Sequence, residues 1–405
     1  MRNPTDLFPL SHPQRRIWYG EKLHPGTGMW NNAGTLRLKG TLNAPLLEKS
    51  ILAFIEQNPT IRLRITESHG VPYQYCAPFS AHRIDMLDFS VSGLKQLYEW
   101  DTAQTQSPMS ILDSPLYYFA IIKLPDGKGA LFAKVHHIIS DALSMVELAN
   151  RILDNYRSLL SAQALPSIQE RPYTDYIASE HAYLESKRFL YDKQYWNQRF
   201  CMLSELTVLK AKKEDYYSTR ARRESFVVSA RQSEALRTFC LEAETSVFSV
   251  MLSALSAYIF RITGKRDVII GAPVANRTES EFKSALGMFV STVPIRLQID
   301  ENQSFAQFVQ TVSNEWFSVL KHQKYPYDLL LQDLRKTHDG LDNLYDITLS
   351  YQNAMFSSNT KAFIDKGRWH FSGYQMNSVN VHINAREGDG RFVLNYDHLI
   401  PLFSR

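Results

Sequence analysis

Gly129-Ala130-Leu131-Phe132-Ala133-Lys134-Val135-His136-His137-Ile138-Ile139-Ser140-Asp141 is the stretch on which the reading of this chain turns. Leu116 to Lys123 before it is a strand candidate, and Pro125-Asp126-Gly127 between the two is a strong turn signal, so the spacing predicts a hairpin. Beyond it, Met145, Leu148, Ala149, Ile152, Leu153, Tyr156, Leu159 and Leu160 form one apolar stripe, which predicts an amphipathic helix over Met145 to Leu160. Ser144 and Glu147 read as its capping box. The two histidines therefore stand where a strand ends and the chain turns towards a helix, a place that holds a reacting group rigidly yet leaves it accessible.

Working outward, Ala44 to Asn58 reads as a helix stopped by Pro59. Ile61 to Ile65 alternates like a half-buried strand, with Tyr73 to Cys76 as its partner across Gly70. Past a Ser/Ala/Gln/Pro-containing break at Ser161 to Glu170, the alternation of helix and strand resumes. Tyr173 to Phe200, Gln232 to Ala243, Ser246 to Thr263 (with Gly264 as C-cap) and Ser304 to Gln323 are expected helices. Val268 to Gly271, Met288 to Ile299, Leu344 to Tyr351 and Phe392 to Tyr396 are expected strands. The fold class is thus α/β, with two mixed halves of similar size, divided as residues 1–170 and 171–405.

At 405 residues the chain is long for one core, and 44% hydrophobic with 21% charged residues is the balance of a globular protein. A net charge of +4 gives no electrostatic case for nucleic acid or for stable membrane insertion. Cys76, Cys201 and Cys240 lie far apart, without the spacing of a disulfide framework or a structural zinc site, which fits a reducing cytoplasm. The first ten residues have no apolar core of a signal peptide, and Ser246 to Phe260 is too short to span a bilayer.

The motifs of several enzyme classes are missing: GxSxG, the P-loop, HExxH and a complete GxGxxG. What remains is His136-His137 followed by Asp141. Successive strand residues point to opposite faces, so only one histidine can enter a given cleft, and the other should anchor the loop. An imidazole titrating near 6.5 suits proton removal from an attacking amine. The spacing is equally compatible with a structural histidine pair followed by an N-capping Asp. A metal site fits less well, since adjacent strand histidines do not readily share one ion and no third His or Cys stands near in sequence.

Seven stretches, in order, resemble the motifs of the condensation domains of nonribosomal peptide synthetases, a branch of the chloramphenicol-acetyltransferase-like fold. Leu10 to Tyr19 is similar to its S-x-A-Q-x-R-x-W-F motif, Ile61 to Arg64 to L-R-T-R, and His136 to Asp141 to HHxxxDG. Tyr173 to Tyr176 is similar to Y-x-D-Y, Ile270 to Arg277 to I-G-T-P-V-A-x-R, Gly287 to Thr292 to G-x-F-V-N-T, and His322 to Asp328 to H-Q-D-x-P-F-E. The chain departs at Ala142 in place of the motif glycine, at Asn58-Pro59 in place of His-Glu, and at Ser291 in place of Asn. The resemblance implies two acetyltransferase-like subdomains arranged as a V-shaped pseudo-dimer around a tunnel. It also implies an amide-forming acyltransferase with His137 as general base or positioning group and His136 as its support. Asp141 becomes a scaffold residue, expected to pair with Arg62. Ser291, Gln352 and Asn353 are expected to line the acceptor side.

Within the family, Arg15 to Leu23 and Ser350 to Asn353 resemble starter members, which join a fatty acyl group from acyl-CoA to an aminoacyl group on the phosphopantetheine of a carrier protein. The early first motif after Met1 points the same way, and the end at Arg405 suggests an excised domain lacking the family's final helix. A monomer, no bound cofactor or metal, and a carrier protein and adenylation domain as partners are the corresponding expectations. A chain-elongating domain with a peptidyl-carrier donor, a free-standing CoA-dependent acyltransferase and a non-catalytic recruitment platform are the rivals.

Overall fold

Gly129–His136 is buried along its whole length, which explains why Leu131, Phe132 and Val135 do not alternate cleanly with polar residues: both faces of the strand are covered. In the computed structural model, which describes residues 7–167, 171–203, 205–210, 218–352, 355–385 and 389–403, it is the central strand of a five-stranded sheet. Tyr117–Lys123 pairs antiparallel on one side, as the hairpin expected across Pro125-Asp126-Gly127, and Asn31–Leu38 pairs antiparallel on the other. Asp85–Asp88 lies parallel to Tyr117–Lys123 at one edge, and Ile364–Trp369, from far along the chain, closes the other edge against Asn31–Leu38.

Helices cover both faces of this sheet. On one, Leu97 of the helix Gly93–Gln106 packs with Ala33, Ala120, Ile122, Ala130 and Phe132. On the other, Phe54 of the helix Ala44–Gln57 meets Phe119 edge to face, with ring centroids 6.2 Å apart. Leu47, Ile51, Phe54 and Ile55 are fully buried on that helix, and each such side chain contributes about 1.5–3 kcal/mol relative to leaving it exposed. The helix Ala142–Leu160 packs beside it. A smaller sheet joins Phe8–Pro9, Val71–Cys76 and Leu63–Ser68.

The chain divides into two compact units, but not as two contiguous halves. The first comprises Met1–Ala182, Arg277–Phe289 and Ala354–Ser372; the second comprises Tyr183–Asn276, Val290–Asn353 and Gly373–Arg405. In the second, Ile347–Gln352 lies parallel to both Asp267–Val274 and Val379–Ala385. Ser291–Gln298, Phe392–Leu399 and Ala221–Val227 extend that sheet to six strands. Helices Lys187–Arg199, Val247–Thr263 and Phe305–Lys321 contribute Trp196, Leu252, Ile259, Val312 and Val319 to its core.

Several boundaries differ from the sequence reading, each for a local reason. The helix after the histidines begins at Ala142 rather than Met145, because Asp141 and not Ser144 is its N-cap, accepting from the Ser144 N–H. Pro59–Arg62 is a short 3₁₀ turn, so the strand starts only at Leu63. Tyr173 to Phe200 is two helices, Tyr173–Leu184 and Lys187–Arg199, the second capped by Ser186. The strand expected from Met288 begins at Ser291, because Gly287 to Phe289 are engaged by other parts of the first unit. Gly264 caps the helix Val247–Thr263 in the left-handed conformation, φ 69°, as its position after Thr263 requires.

Gly271 shows how closely the second core is fitted. A Cβ added there would lie 2.6 Å from the Tyr345 ring, and Tyr345 is fully buried. Gly271→Ala is expected to cost about 1–3 kcal/mol of stability by overpacking, read as a lower Tm. A Tm equal to the parent protein would show that the ring can yield.

Candidate active site

The strand Gly129–His136 ends on the first histidine, and His137–Ile139 makes a single 3₁₀ turn before the chain enters the helix at Ala142. His136 is 2% exposed. Its Nδ1 accepts the N–H of Ile138 at 3.2 Å, and its carbonyl accepts from Ser140 Oγ at 3.3 Å, so it ties both ends of the turn to the strand. Burial, with His137 adjacent, pushes its pKa down to about 3, and the ring is neutral at physiological pH.

His137 is half-buried and differently held. Its N–H donates to the Trp30 carbonyl at 2.7 Å, and the Trp30 ring stands edge-on to the imidazole, with centroids 6.4 Å apart. Its Nδ1 is buried with no well-formed hydrogen bond. Burial lowers the pKa of His137, opposed by the Asp141 carboxylate and by the carbonyls of His137 and Ser140, with Arg16 adding a lowering contribution. The net shift is downward, which leaves a neutral imidazole able to accept a proton. Neighbouring histidines thus differ: His136 is sealed into the strand end, and His137 is half-buried on the turn that follows.

Asp141 is fully buried and makes five hydrogen bonds. Oδ1 accepts from the Ser144 N–H and Oγ, both at 2.9 Å, and from Arg277 Nη2 at 3.0 Å. Oδ2 accepts from Arg277 Nη1 at 2.6 Å and from the Phe289 N–H at 3.3 Å. The fork of Arg277 matches the carboxylate bidentately, and its guanidinium lies 4.2 Å from the centroid of Phe289. Ser144 Oγ also accepts the Gly287 N–H at 3.0 Å and lies 2.8 Å from the Gly287 carbonyl, which shares the hydroxyl's single proton with Asp141 Oδ1. Gly287 has φ 148°, and a Cβ on it would run into the Tyr173 ring, so no other residue fits there.

The expected partner of Asp141, Arg62, is therefore corrected to Arg277. Arg62 sits on the 3₁₀ turn and donates to the carbonyls of Ala77 (3.1 Å) and Glu56 (3.4 Å), where it serves the small sheet. Ala142 is an ordinary first residue of a right-handed helix, so the absent motif glycine costs no strain. Asn58 is buried, with its side-chain oxygen taken by Arg151, and it faces the packing between helices.

Ser291 opens its strand opposite Val274 and is half-buried; Gln352 closes its own strand and is exposed. Since Thr348 aligns with Gly271 in parallel, both residues fall at the same end of the second unit's sheet. Asn353 lies outside the described residues. Sequence reasoning misses three contributors. Arg277 is visible only as the last residue of a motif; Gln14 and Tyr173 are visible within two others. Gln14 Nε2 donates to the Ile138 carbonyl at 3.0 Å, and the Tyr173 hydroxyl hydrogen-bonds Ser11 Oγ at 2.8 Å.

A family model described as Condensation domain matches residues 5–404. The chain is 35% identical to surfactin synthase subunit 1 of Bacillus subtilis (strain 168) over 98% of its own length, but spans only 11% of that protein. It is 33% identical to a plipastatin synthase subunit of the same organism, again over 98% of its length and 16% of the relative's. Among solved structures, the first condensation domain of the calcium-dependent antibiotic synthetase in complex with a substrate analogue superimposes with a TM-score of 0.87 at 20% identity. That match covers 99% of this chain and 93% of the other. A variant of the starter condensation domain of rhizomide synthetase, in complex with C8-CoA and Leu-SNAC, gives a TM-score of 0.87 at 20% identity, covering 99% and 90%. At that identity the likeness to both structures is one of fold.

Two measurements test the site's architecture. Arg277→Ala leaves a fully buried carboxylate uncompensated and is expected to cost about 3–5 kcal/mol in chemical denaturation. Arg62→Ala removes only two carbonyl contacts and should cost about 0.5–1.5 kcal/mol; the reverse order would refute the Arg277 pairing. The second concerns pH. Because folding depresses the His136 pKa from 6.5 to about 3, its contribution to stability is complete above about 6.5 and is lost as pH falls from there towards 3. His136→Asn, whose side-chain oxygen can take the place of Nδ1 without titrating, should flatten that acid limb of the Tm–pH curve. A limb of unchanged slope would mean that His136 is not held neutral.

Proposed function

The chain belongs to the condensation-domain family of nonribosomal peptide synthetases, which form amide bonds by acyl transfer, and from that premise we propose that it is a starter member. It would take a fatty acyl group from acyl-CoA and attach it to the α-amine of an aminoacyl group on the phosphopantetheine of a carrier protein. The carrier and an adenylation domain would belong to the same synthetase. The observation that supports the catalytic half of this reading is the state of His137: a neutral imidazole, half-buried, on a turn tied to a rigid strand.

In the reaction the amine nitrogen attacks the thioester carbonyl carbon, a C–N bond forms and the C–S bond breaks. His137 takes the proton that the nitrogen must lose, and that proton can return to the departing sulfur as it leaves as CoA thiol. Acid–base help of this kind contributes about 10²–10⁴-fold, and the remainder comes from holding amine and thioester in attack geometry. Asp141, held by Arg277 and capping the helix Ala142–Leu160, acts on the turn rather than on the proton.

The donor half rests on two supports. The stretches Arg15 to Leu23 and Ser350 to Asn353 resemble starter members. A starter condensation domain of this fold has also been solved with C8-CoA, so the fold can accommodate such a donor. The expected outcome, in an assay containing acyl-CoA and aminoacyl carrier protein, is an N-acyl aminoacyl carrier detected by mass. His137→Ala should lower turnover at least about 100-fold with an unchanged Tm. Product formed only from a peptidyl-carrier donor would replace the starter reading with an elongating one, and undiminished turnover by His137→Ala would remove the catalytic assignment.

A further inference from the structure

The helix His12–Leu23 buries Gln14, Ile17, Trp18 and Glu21 along one stripe. Gln14 uses that stripe to hold the histidine turn, donating to the Ile138 carbonyl. Two helical turns later, the same stripe brings Glu21 Oε2 to 4.0 Å from His136 Nε2. Glu21 is 9% exposed, and that oxygen has no hydrogen-bond partner. An apolar side chain would fill the position without the penalty of burying a carboxyl group.

The hydrogen bonding of His136 says what the carboxyl faces. Its Nδ1 is an acceptor, taken by the Ile138 N–H, so the neutral ring carries its proton on Nε2. Nε2 is the ring atom that lies 4.0 Å from Glu21 Oε2. A separation of 4.0 Å is too long for a hydrogen bond, and a small side-chain rotation brings the two atoms within range. Burial pushes the Glu21 carboxyl up to about 7 and the imidazole down to about 3, so near neutral pH the ring is uncharged and the carboxyl is only partly ionised.

We propose that Glu21 is a positioning residue for the catalytic turn: it accepts the His136 Nε2–H and, through His136, fixes the turn that presents His137. The ring so held keeps its Nδ1 on the Ile138 N–H and its carbonyl on Ser140, the two bonds that shape residues 137 to 140. This rests on His137 acting in amide formation, as argued above, but not on which donor is used.

The test compares Glu21→Leu, which fills the volume and removes the acceptor, with Glu21→Gln, which keeps an acceptor without the charge. With whichever donor the parent protein uses, Glu21→Leu is expected to lower kcat about tenfold or more, since displacement of a reacting group by about 1 Å has effects of that size. KM for both substrates should stay at parent values, the Tm should not fall, because the cost of burying the carboxyl is removed, and Glu21→Gln should restore most of the lost kcat. A parent-like kcat in Glu21→Leu, a change confined to KM, or equal losses in both variants would overturn the proposal. Selective ¹⁵N-histidine spectra supply a readout independent of turnover: a slowly exchanging His136 Nε2–H should be present in the parent and in Glu21→Gln and absent in Glu21→Leu. If the parent condenses no donor at all, the functional reading fails, and the spectra still decide whether Glu21 holds His136.

Discussion

Burying the Asp141 carboxylate is the constraint around which the first unit is arranged. An ion taken fully out of water is tolerable only if every lone pair is used and an opposite charge is at hand. Arg277 supplies the charge, and the backbone of Ser144 and Phe289 supplies directed donors. The same carboxylate caps the helix Ala142–Leu160, so the helix start, the histidine turn and the segment Arg277–Phe289 are fastened at one point. Such a pair is a weak source of net stability but a strong source of definition, because any alternative arrangement strands a charge.

That fastening lets a single turn hold two histidines in unlike environments. His136 gives up its Nδ1 to the Ile138 N–H and its carbonyl to the Ser140 hydroxyl, and becomes part of the scaffold. His137 has its main chain tied to Trp30 and its ring left with little to bind. Identical side chains one residue apart thus differ in role because one lies at the end of a buried strand and the other at the start of a turn.

The hairpin, the apolar stripe and the strand-end position of the histidines are legible in the sequence, because each depends on local periodicity and turn chemistry. Asn31–Leu38 is not, since its opening run Asn31-Asn32-Ala33-Gly34 lacks strand character and forms a strand because neighbours pair with it on both sides. Periodicity places the helix start three residues late, because both Asp141 and Ser144 are good caps and the apolar stripe begins only at Met145. The choice of arginine fails for a related reason. A buried Asp announces that it needs a cation, but Arg62 and Arg277 satisfy that need equally on paper, and only the tertiary arrangement separates them. Glu21 is hidden differently: it sits in a helical stripe where the eye counts apolar residues and passes over the one that is not.

The edge strand Ile364–Trp369 has a consequence for how the chain is made. The first unit's sheet, begun with Asn31–Leu38, stays open on one side until a segment more than three hundred residues downstream arrives. During synthesis the exposed edge must wait through the production of almost the whole second unit, an interval in which it could pair with another nascent chain. Any recombination that joins the front of this domain to the back of another therefore exchanges one strand of the sheet that carries the histidines, and success should depend on how well Ile364–Trp369 of the incoming segment fits the Asn31–Leu38 it meets.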